Sequence, residues 1–291
     1  MVKLSVVQLC SVPDVSENLS KIDSLLYAVD DQNVDTSDQA IQQDHLVVLP
    51  ECCLFFGGKD QEQLSLALDS EQHKIENNHL VKKLAAIAHR HQVYLVAGSI
   101  PILSQSTDEK FTNTSIVISP QGEVIADYDK IHLFDVLVDD NEKNYLESKF
   151  TQAGQRTVTT TLPFAKLGLS ICYDLRFPEL FRALTNQGAD IISVPAAFTK
   201  VTGQVHWQAL LQARAIENQV YVLAAGQEGV HANGRETWGH SMIISPWGEI
   251  LAEKAQGEGI ISVPFNPEKI AHARSSIPVA KHNQFQTEMK R

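Results

Sequence analysis

Apolar positions along the chain come in two rhythms, alternation with polar residues over six to eight positions and recurrence every three or four. "VKLSVVQL" (2–9) and "DHLVVLPE" (44–51) carry the first rhythm and predict strands. "HLVKKLAAIAHRHQ" (79–92) carries the second, with Leu80, Leu84, Ile87 and Ala88 on one helical face, and "VYLVAGSIP" (93–101) returns to strand. "NTSIVISPQGEVIADYDK" (113–130) predicts a hairpin turning at Pro120, Gln121 and Gly122. The second half repeats the plan with strand "ADIISVPAAF" (189–198), helix "HWQALLQARAIENQ" (206–219) and strand "VYVLAAGQ" (220–227). It ends in a hairpin, "GHSMIISPWGEILAEKA" (239–255), turning at Pro246, Trp247 and Gly248. Val93 aligns with Val220 and Ser119 with Ser245, offsets of 127 and 126 residues.

A near-constant offset between two similar halves predicts a pseudo-twofold fold. Strands this apolar need cover on both faces, so the expected class is α+β, a four-layer α-β-β-α sandwich with an internal pseudo-twofold repeat. The 291 residues, 43% hydrophobic and 20% charged, suit one domain spanning 1–291. The polar stretch 30–45 reads as a helix end and surface loop. A net charge of -11, with no Lys/Arg run, argues against a nucleic-acid partner, which requires a basic face. No apolar run nears the ~18 residues of a membrane span, and the N-terminus lacks the pattern of a secretory leader, so the expected location is cytoplasmic.

The four cysteines, at 10, 52, 53 and 172, show no C-x2-C spacing for zinc, and the chain is not a short secreted scaffold. They read as free thiols. Cys52 and Cys53, being adjacent, are poorly placed for an unstrained disulfide and read as packing residues.

The halves differ where chemistry is expected. Glu51 ends one strand where its counterpart has Ala196, Lys130 ends one hairpin where its counterpart has Gln256, and Cys172 ends a strand just before a helical pattern. Singly these read as a solvated strand end, an exposed ion pair and a small buried hydrophobe. Together they supply a base, an oxyanion partner and a nucleophile, the set that amide hydrolysis needs.

Three blocks then carry a resemblance: "LPE" (49–51), "YDKIHLFD" (128–135) and "GLSICYDLRFPEL" (168–180). In that order, over almost the whole chain, they resemble the signature blocks of the nitrilase superfamily of carbon-nitrogen hydrolases. The resemblance implies the same sandwich and a catalytic set of Glu51, Lys130 and Cys172, with the backbone N–H of Tyr173 helping to hold the oxyanion. It implies a thioester on Cys172 and no metal or organic cofactor. Members often carry a second glutamate between the lysine and cysteine blocks. Glu142 and Glu147 are the candidates, and "YLES" followed by "TQAG" favours Glu147, although the usual Pro-Gly is Ala-Gly here.

The segments at 196–222 and 224–248 resemble the branch that cleaves the amide of an α-keto glutaryl unit. The expected substrate is deaminated glutathione, cut to 2-oxoglutarate and Cys-Gly; 2-oxoglutaramate is the alternative. A carboxylated small-molecule substrate calls for a cation. Arg176 is one candidate, with a helix-start pair to Glu179 as its bland reading, and Arg235 in the turn-rich loop 229–240 is the other. Phe198 and Thr199 are expected to wall the pocket. A homodimer using the helix after Cys172 and the tail at about 268–291 also follows from the resemblance. His132, His206 and His240 leave room for a Cys-His peptidase, which would survive loss of the Glu51 carboxylate. A silent binding module would lack one of the three groups.

Overall fold

The computed structural model describes residues 2–30, 44–70, 75–107, 109–140, 144–286 and 288–289. Most of the loop expected at 30–45, and Glu142, lie outside these residues.

Two sheets are built on the same plan. In the first, strands Lys3–Gln8, His45–Val48 and Tyr94–Val96 run parallel, followed antiparallel by Phe111–Ile118 and then Val124–Asp129. In the second, Lys166–Leu169, Ile191–Ala196 and Tyr221–Gly226 run parallel, followed antiparallel by Ser241–Ile244 and Ile250–Lys254. Even the irregularities repeat, since the register shifts at Val117/Ile118 and again at Ile243/Ile244.

Each repeated device has a local cause. The helices His79–His91 and Lys200–Asn218 both end on a glutamine in the left-handed region, Gln92 at φ 53° and Gln219 at φ 55°. Both hairpins turn through a glycine at positive φ, Gly122 and Gly248. A serine hydroxyl ahead of each turn accepts two backbone amides, Ser119 from Gln121 and Glu123, Ser245 from Trp247 and Glu249.

Alternation in the strands sorts side chains between layers. Leu4, Val6, Leu46 and Val48 share one core with Leu167, Leu169, Ile192 and Val194 of the second sheet. The intervening Val7, Leu9, Val47 and Leu49 pack with Ile22, Leu26, Leu80 and Leu84 from helices Val15–Asp30 and His79–His91. Trp207 and Leu211 of Lys200–Asn218, and Phe181 and Leu184 of helix Pro178–Asn186, join the core on the second sheet's side. The fold is the four-layer α+β sandwich expected from the strands' two apolar faces.

One strand breaks the symmetry. Gly259–Pro264, from the end of the second half, pairs antiparallel with Lys3–Gln8 and so belongs to the first sheet. Beside this junction the sheets are tied at one edge. Leu9 donates its amide to Gly226 O at 3.4 Å, and the Gln227 side chain donates to Ser11 Oγ at 2.8 Å and to the Glu51 carbonyl at 2.9 Å. The carboxyl ends of both sets of parallel strands therefore face a common space.

Candidate active site

Glu51 lies three residues past the strand His45–Val48, and its backbone is held from behind. Gly98, at φ 47°, packs so closely that a Cβ there would stand 1.8 Å from Pro50 O. Ser99 Oγ accepts the Cys52 amide at 2.9 Å. Only glycine permits both the backbone angle and this approach.

Lys130 directly follows the strand Val124–Asp129. Its amide donates to Asn113 O at 2.9 Å, and its carbonyl accepts the Gly154 amide at 2.8 Å. A Cβ on Gly154 would stand 2.1 Å from Asp129 O, which gives the glycine of "TQAG" a steric reason.

Cys172 lies three residues past the strand Lys166–Leu169 and opens a short 3-10 turn, Cys172–Arg176. Its φ of 48° is the left-handed conformation that side chains other than glycine seldom adopt. Buried Arg214 steadies the turn, donating from Nε and Nη2 to the Leu175 carbonyl at 3.0 and 2.8 Å. The turn aims the thiol at Glu51 and at the amide of Ala197.

These residues meet in one buried cluster. Lys130 Nζ donates to Glu51 Oε1 at 2.8 Å and to Glu147 Oε2 at 2.9 Å. Asn113 Nδ2 donates to Glu51 Oε1 at 3.0 Å and reaches Glu147 Oε1 at 3.3 Å. Glu51 Oε2 accepts the Ala197 amide at 2.9 Å, and Glu147 Oε2 accepts the Phe134 amide at 2.6 Å.

Burial works against the charged forms of Glu51 and Lys130, but their mutual attraction and hydrogen bonds outweigh it. Glu51 is held below the usual carboxylate range, and Lys130, drawn by Glu147 and Glu51, well above the usual amine range. Burial and then the Glu51 charge push the Cys172 thiol well above its ordinary value. The resting arrangement is a neutral thiol facing an ionised carboxylate that an ammonium grips from the other side.

The cluster forms the floor of a cavity of about 380 Å³. Tyr173, Phe198 and Thr199 line it, as does Arg235, whose guanidinium lies 5.1 Å from the Phe56 ring centre and 4.9 Å from that of Tyr145. Arg176 is not among the lining residues. Its guanidinium lies 5.0 Å from the Phe198 ring centre and its Nη1 3.3 Å from His206 Nδ1, so it backs the wall.

His132 bonds Asp174, and His240 bonds Glu253. None of the three histidines considered for a peptidase lines the cavity. Cys52 does line it, its thiol raised by burial, whereas Cys53 is raised to about 12 and packs in the core.

Asn113, Tyr128, Asp174 and Arg214 also shape the site, beyond the residues expected from the sequence. Tyr128 and Asp174 stand inside the quoted blocks, where residues flanking a candidate nucleophile or cation invite the question. Asn113 in a strand and Arg214 in a helix gave no local signal.

Known proteins resemble this chain in sequence and in fold. The chain is 39% identical over 282 residues to the deaminated glutathione amidase of Yersinia enterocolitica, covering 97% of this chain and 93% of that one. It is 42% identical over 284 residues to the Synechocystis protein of the same name, covering 96% of each. Among solved structures, Saccharomyces cerevisiae Nit3, a member of branch 10 of the nitrilase superfamily, superposes with a TM-score of 0.84 at 33% identity, covering 98% of this chain and 97% of that one. Residues 3–275 match the family described as carbon-nitrogen hydrolase. The chain belongs to the carbon-nitrogen hydrolases, enzymes that act on amide C–N bonds.

Proposed function

We propose that this chain is a thiol-dependent amidase whose substrate is deaminated glutathione, hydrolysed to 2-oxoglutarate and Cys-Gly. The observation that carries the reading is the Glu51–Lys130–Cys172 cluster on the floor of a cavity with a cation, Arg235, in its wall. Support for the substrate comes from the relatives named above and from the match between that cation and a terminal carboxylate.

Glu51 takes the proton from the Cys172 thiol as the sulfur attacks the amide carbonyl. The oxyanion is held by the Lys130 ammonium and the Tyr173 amide. Glu51 then delivers the proton to the departing nitrogen, the C–N bond breaks, and the acyl group remains on sulfur as a thioester. Water, deprotonated by Glu51, attacks the thioester; the C–S bond breaks and the thiol regains its proton. Glu147 and Asn113 hold Lys130 and Glu51 in place throughout. None of these steps assigns work to a metal or cofactor.

One chain forms one hydrolase unit, working in the cytoplasm as a homodimer. Ile277 and Phe285 in the tail, 53% and 83% exposed, are apolar groups that a partner chain would cover. Among the described residues no helix is long and apolar enough to cross a membrane.

The deciding experiment offers deaminated glutathione and 2-oxoglutaramate separately, measures kcat/KM for each, and weighs the acid-quenched protein. A higher kcat/KM for deaminated glutathione and an acyl adduct on Cys172 are expected. An adduct elsewhere overturns the mechanism, and a preference for 2-oxoglutaramate moves the enzyme to the omega-amidase activity, the name carried by the yeast relative that is 35% identical over 286 residues.

A further inference from the structure

Lys130 and Cys172 are delivered by different sheets, and the buried side chain of Asp174 bonds to both stretches that carry them. Asp174, with no solvent exposure, accepts four hydrogen bonds on its two carboxyl oxygens. Oδ2 takes the Ile171 amide at 2.9 Å and the Tyr128 hydroxyl at 2.7 Å. Oδ1 takes the His132 amide at 3.1 Å and His132 Nδ1 at 2.7 Å.

Three of the four donors come from the Lys130 stretch, and the fourth from the residue before the nucleophile. The His132 ring also lies flat on Phe177, centroids 3.6 Å apart and planes 6° apart, so it grips the cysteine turn at two points. His132 does not line the cavity.

A single residue, Ile131, separates His132 from Lys130, and a single residue, Tyr173, separates Asp174 from Cys172, so a shift in this clasp is transmitted to both reacting groups. A misplacement of about 1 Å costs on the order of 100-fold in rate. We propose that His132, acting through Asp174, is a positioning residue that keeps the Lys130 ammonium in register with the Cys172 sulfur. The assignment rests on the reading of Cys172 as nucleophile and Lys130 as its oxyanion partner.

The test separates the donor from the stacked ring. His132→Phe keeps a ring against Phe177 and removes Nδ1–H. His132→Asn loses the ring but places an amide N–H near the same point. With an amide that the wild-type enzyme hydrolyses, His132→Phe should lower kcat at least about tenfold and change KM less than about threefold. His132→Asn should return kcat to within about threefold of wild type. A kcat within that margin for His132→Phe overturns the proposal, as does an equal loss in both variants.

If neither variant folds, as judged by circular dichroism, Tyr128→Phe decides, because it removes another donor to the same carboxyl group. A drop in kcat supports the clasp, and a wild-type kcat overturns it. Alkylation of Cys172 by iodoacetamide runs in parallel and needs no substrate. It should slow about tenfold in His132→Phe and recover in His132→Asn. If the wild-type protein hydrolyses no amide, the functional reading fails alone, and the alkylation rates still decide the positioning role.

Discussion

Two cysteines stand just past the ends of corresponding strands, Cys10 after Lys3–Gln8 and Cys172 after Lys166–Leu169, and each has a glutamate and a lysine beside it. At Cys10 the partners are Glu258, whose Oε1 accepts the Cys10 amide at 3.0 Å, and Lys21, whose Nζ lies 3.3 Å from the same oxygen. By residue type the two groupings are alike. They differ in burial, since the Lys21 and Glu258 side chains are 24% and 36% exposed where Lys130 and Glu51 are 2% and 6% exposed. They differ in backbone as well. After Gln8 the chain stays extended and bonds to the second sheet, whereas after Ile171 it turns at positive φ. Residue identity supplies the groups, but desolvation and the turn make one grouping a candidate catalyst, because charge interactions strengthen as water is excluded.

The sharpest break of this comparison is to remove each thiol. Cys172→Ala should abolish amide hydrolysis, while Cys10→Ala, Cys52→Ala and Cys53→Ala should keep most of it, measured as kcat on deaminated glutathione. Full turnover by Cys172→Ala would end the proposed mechanism.

Removing each cation is the next largest effect. Loss of an oxyanion donor from a dry site costs about 100- to 1,000-fold in kcat, so Lys130→Gln should lose at least that much in a protein still folded by circular dichroism. Lys21→Gln, in a part-exposed pair worth about 0–1 kcal/mol, should leave kcat unchanged. Comparable losses in both would mean that burial is not what separates the sites.

Arg235 sharpens the comparison from the substrate's side, because it stands in the wall of the cavity above the Cys172 grouping. Arg235→Ala should weaken kcat/KM for deaminated glutathione by roughly 1.5–3 kcal/mol, the scale of a hydrogen bond to a charged group. Turnover of 2-oxoglutaramate, which has no Cys-Gly portion, should hardly change. Equal losses on both substrates would refute the assignment.

The opposite ends of the neighbouring strands differ too, with a smaller consequence. His45 begins its strand buried, its Nε2 2.7 Å from Ser5 Oγ, and burial, with the Lys3 charge, lowers its pKa from 6.5 to about 3. In the corresponding place Asp190 meets Arg274 at 2.9 Å in a part-exposed pair. Below pH 6.5 the unfolded chain binds a proton at His45 that the folded chain refuses until about pH 3. Stability from this group is therefore present above pH 6.5 and lost as pH falls, at up to about 1.4 kcal/mol per pH unit. His231, lowered by burial to about 4, acts in the same direction. Urea unfolding at pH 7 and pH 5 should show a smaller acid loss in His45→Gln than in wild type. An equal loss in the two would remove His45 from the account.

Much of the architecture was legible in the residues, because two apolar faces per strand and a repeated serine-and-glycine hairpin are local patterns. The path of Gly259–Pro264 was not, since nothing within those residues says that their partner is Lys3–Gln8. Glu51, Lys130 and Cys172 stood out as departures from the repeat. Arg176 looked as suitable as Arg235 by charge and position, yet one lies behind Phe198 and the other in the cavity wall.

The sequence by itself determined which groups are present, the alternation that buries both faces of each sheet, and the near-constant offset that makes the halves alike. Those are properties of near neighbours along the chain, where spacing fixes the facing of each side chain. The tertiary structure alone decided that Glu51, Lys130 and Cys172 share one buried site, with part-exposed Glu147 at its edge, while Cys10, Lys21 and Glu258 remain partly in water. That choice depends on contacts between residues tens to hundreds of positions apart, such as Asp174 with His132 and Ala197 with Glu51. Exclusion of water is a property of the assembled layers, and no short stretch of sequence carries it.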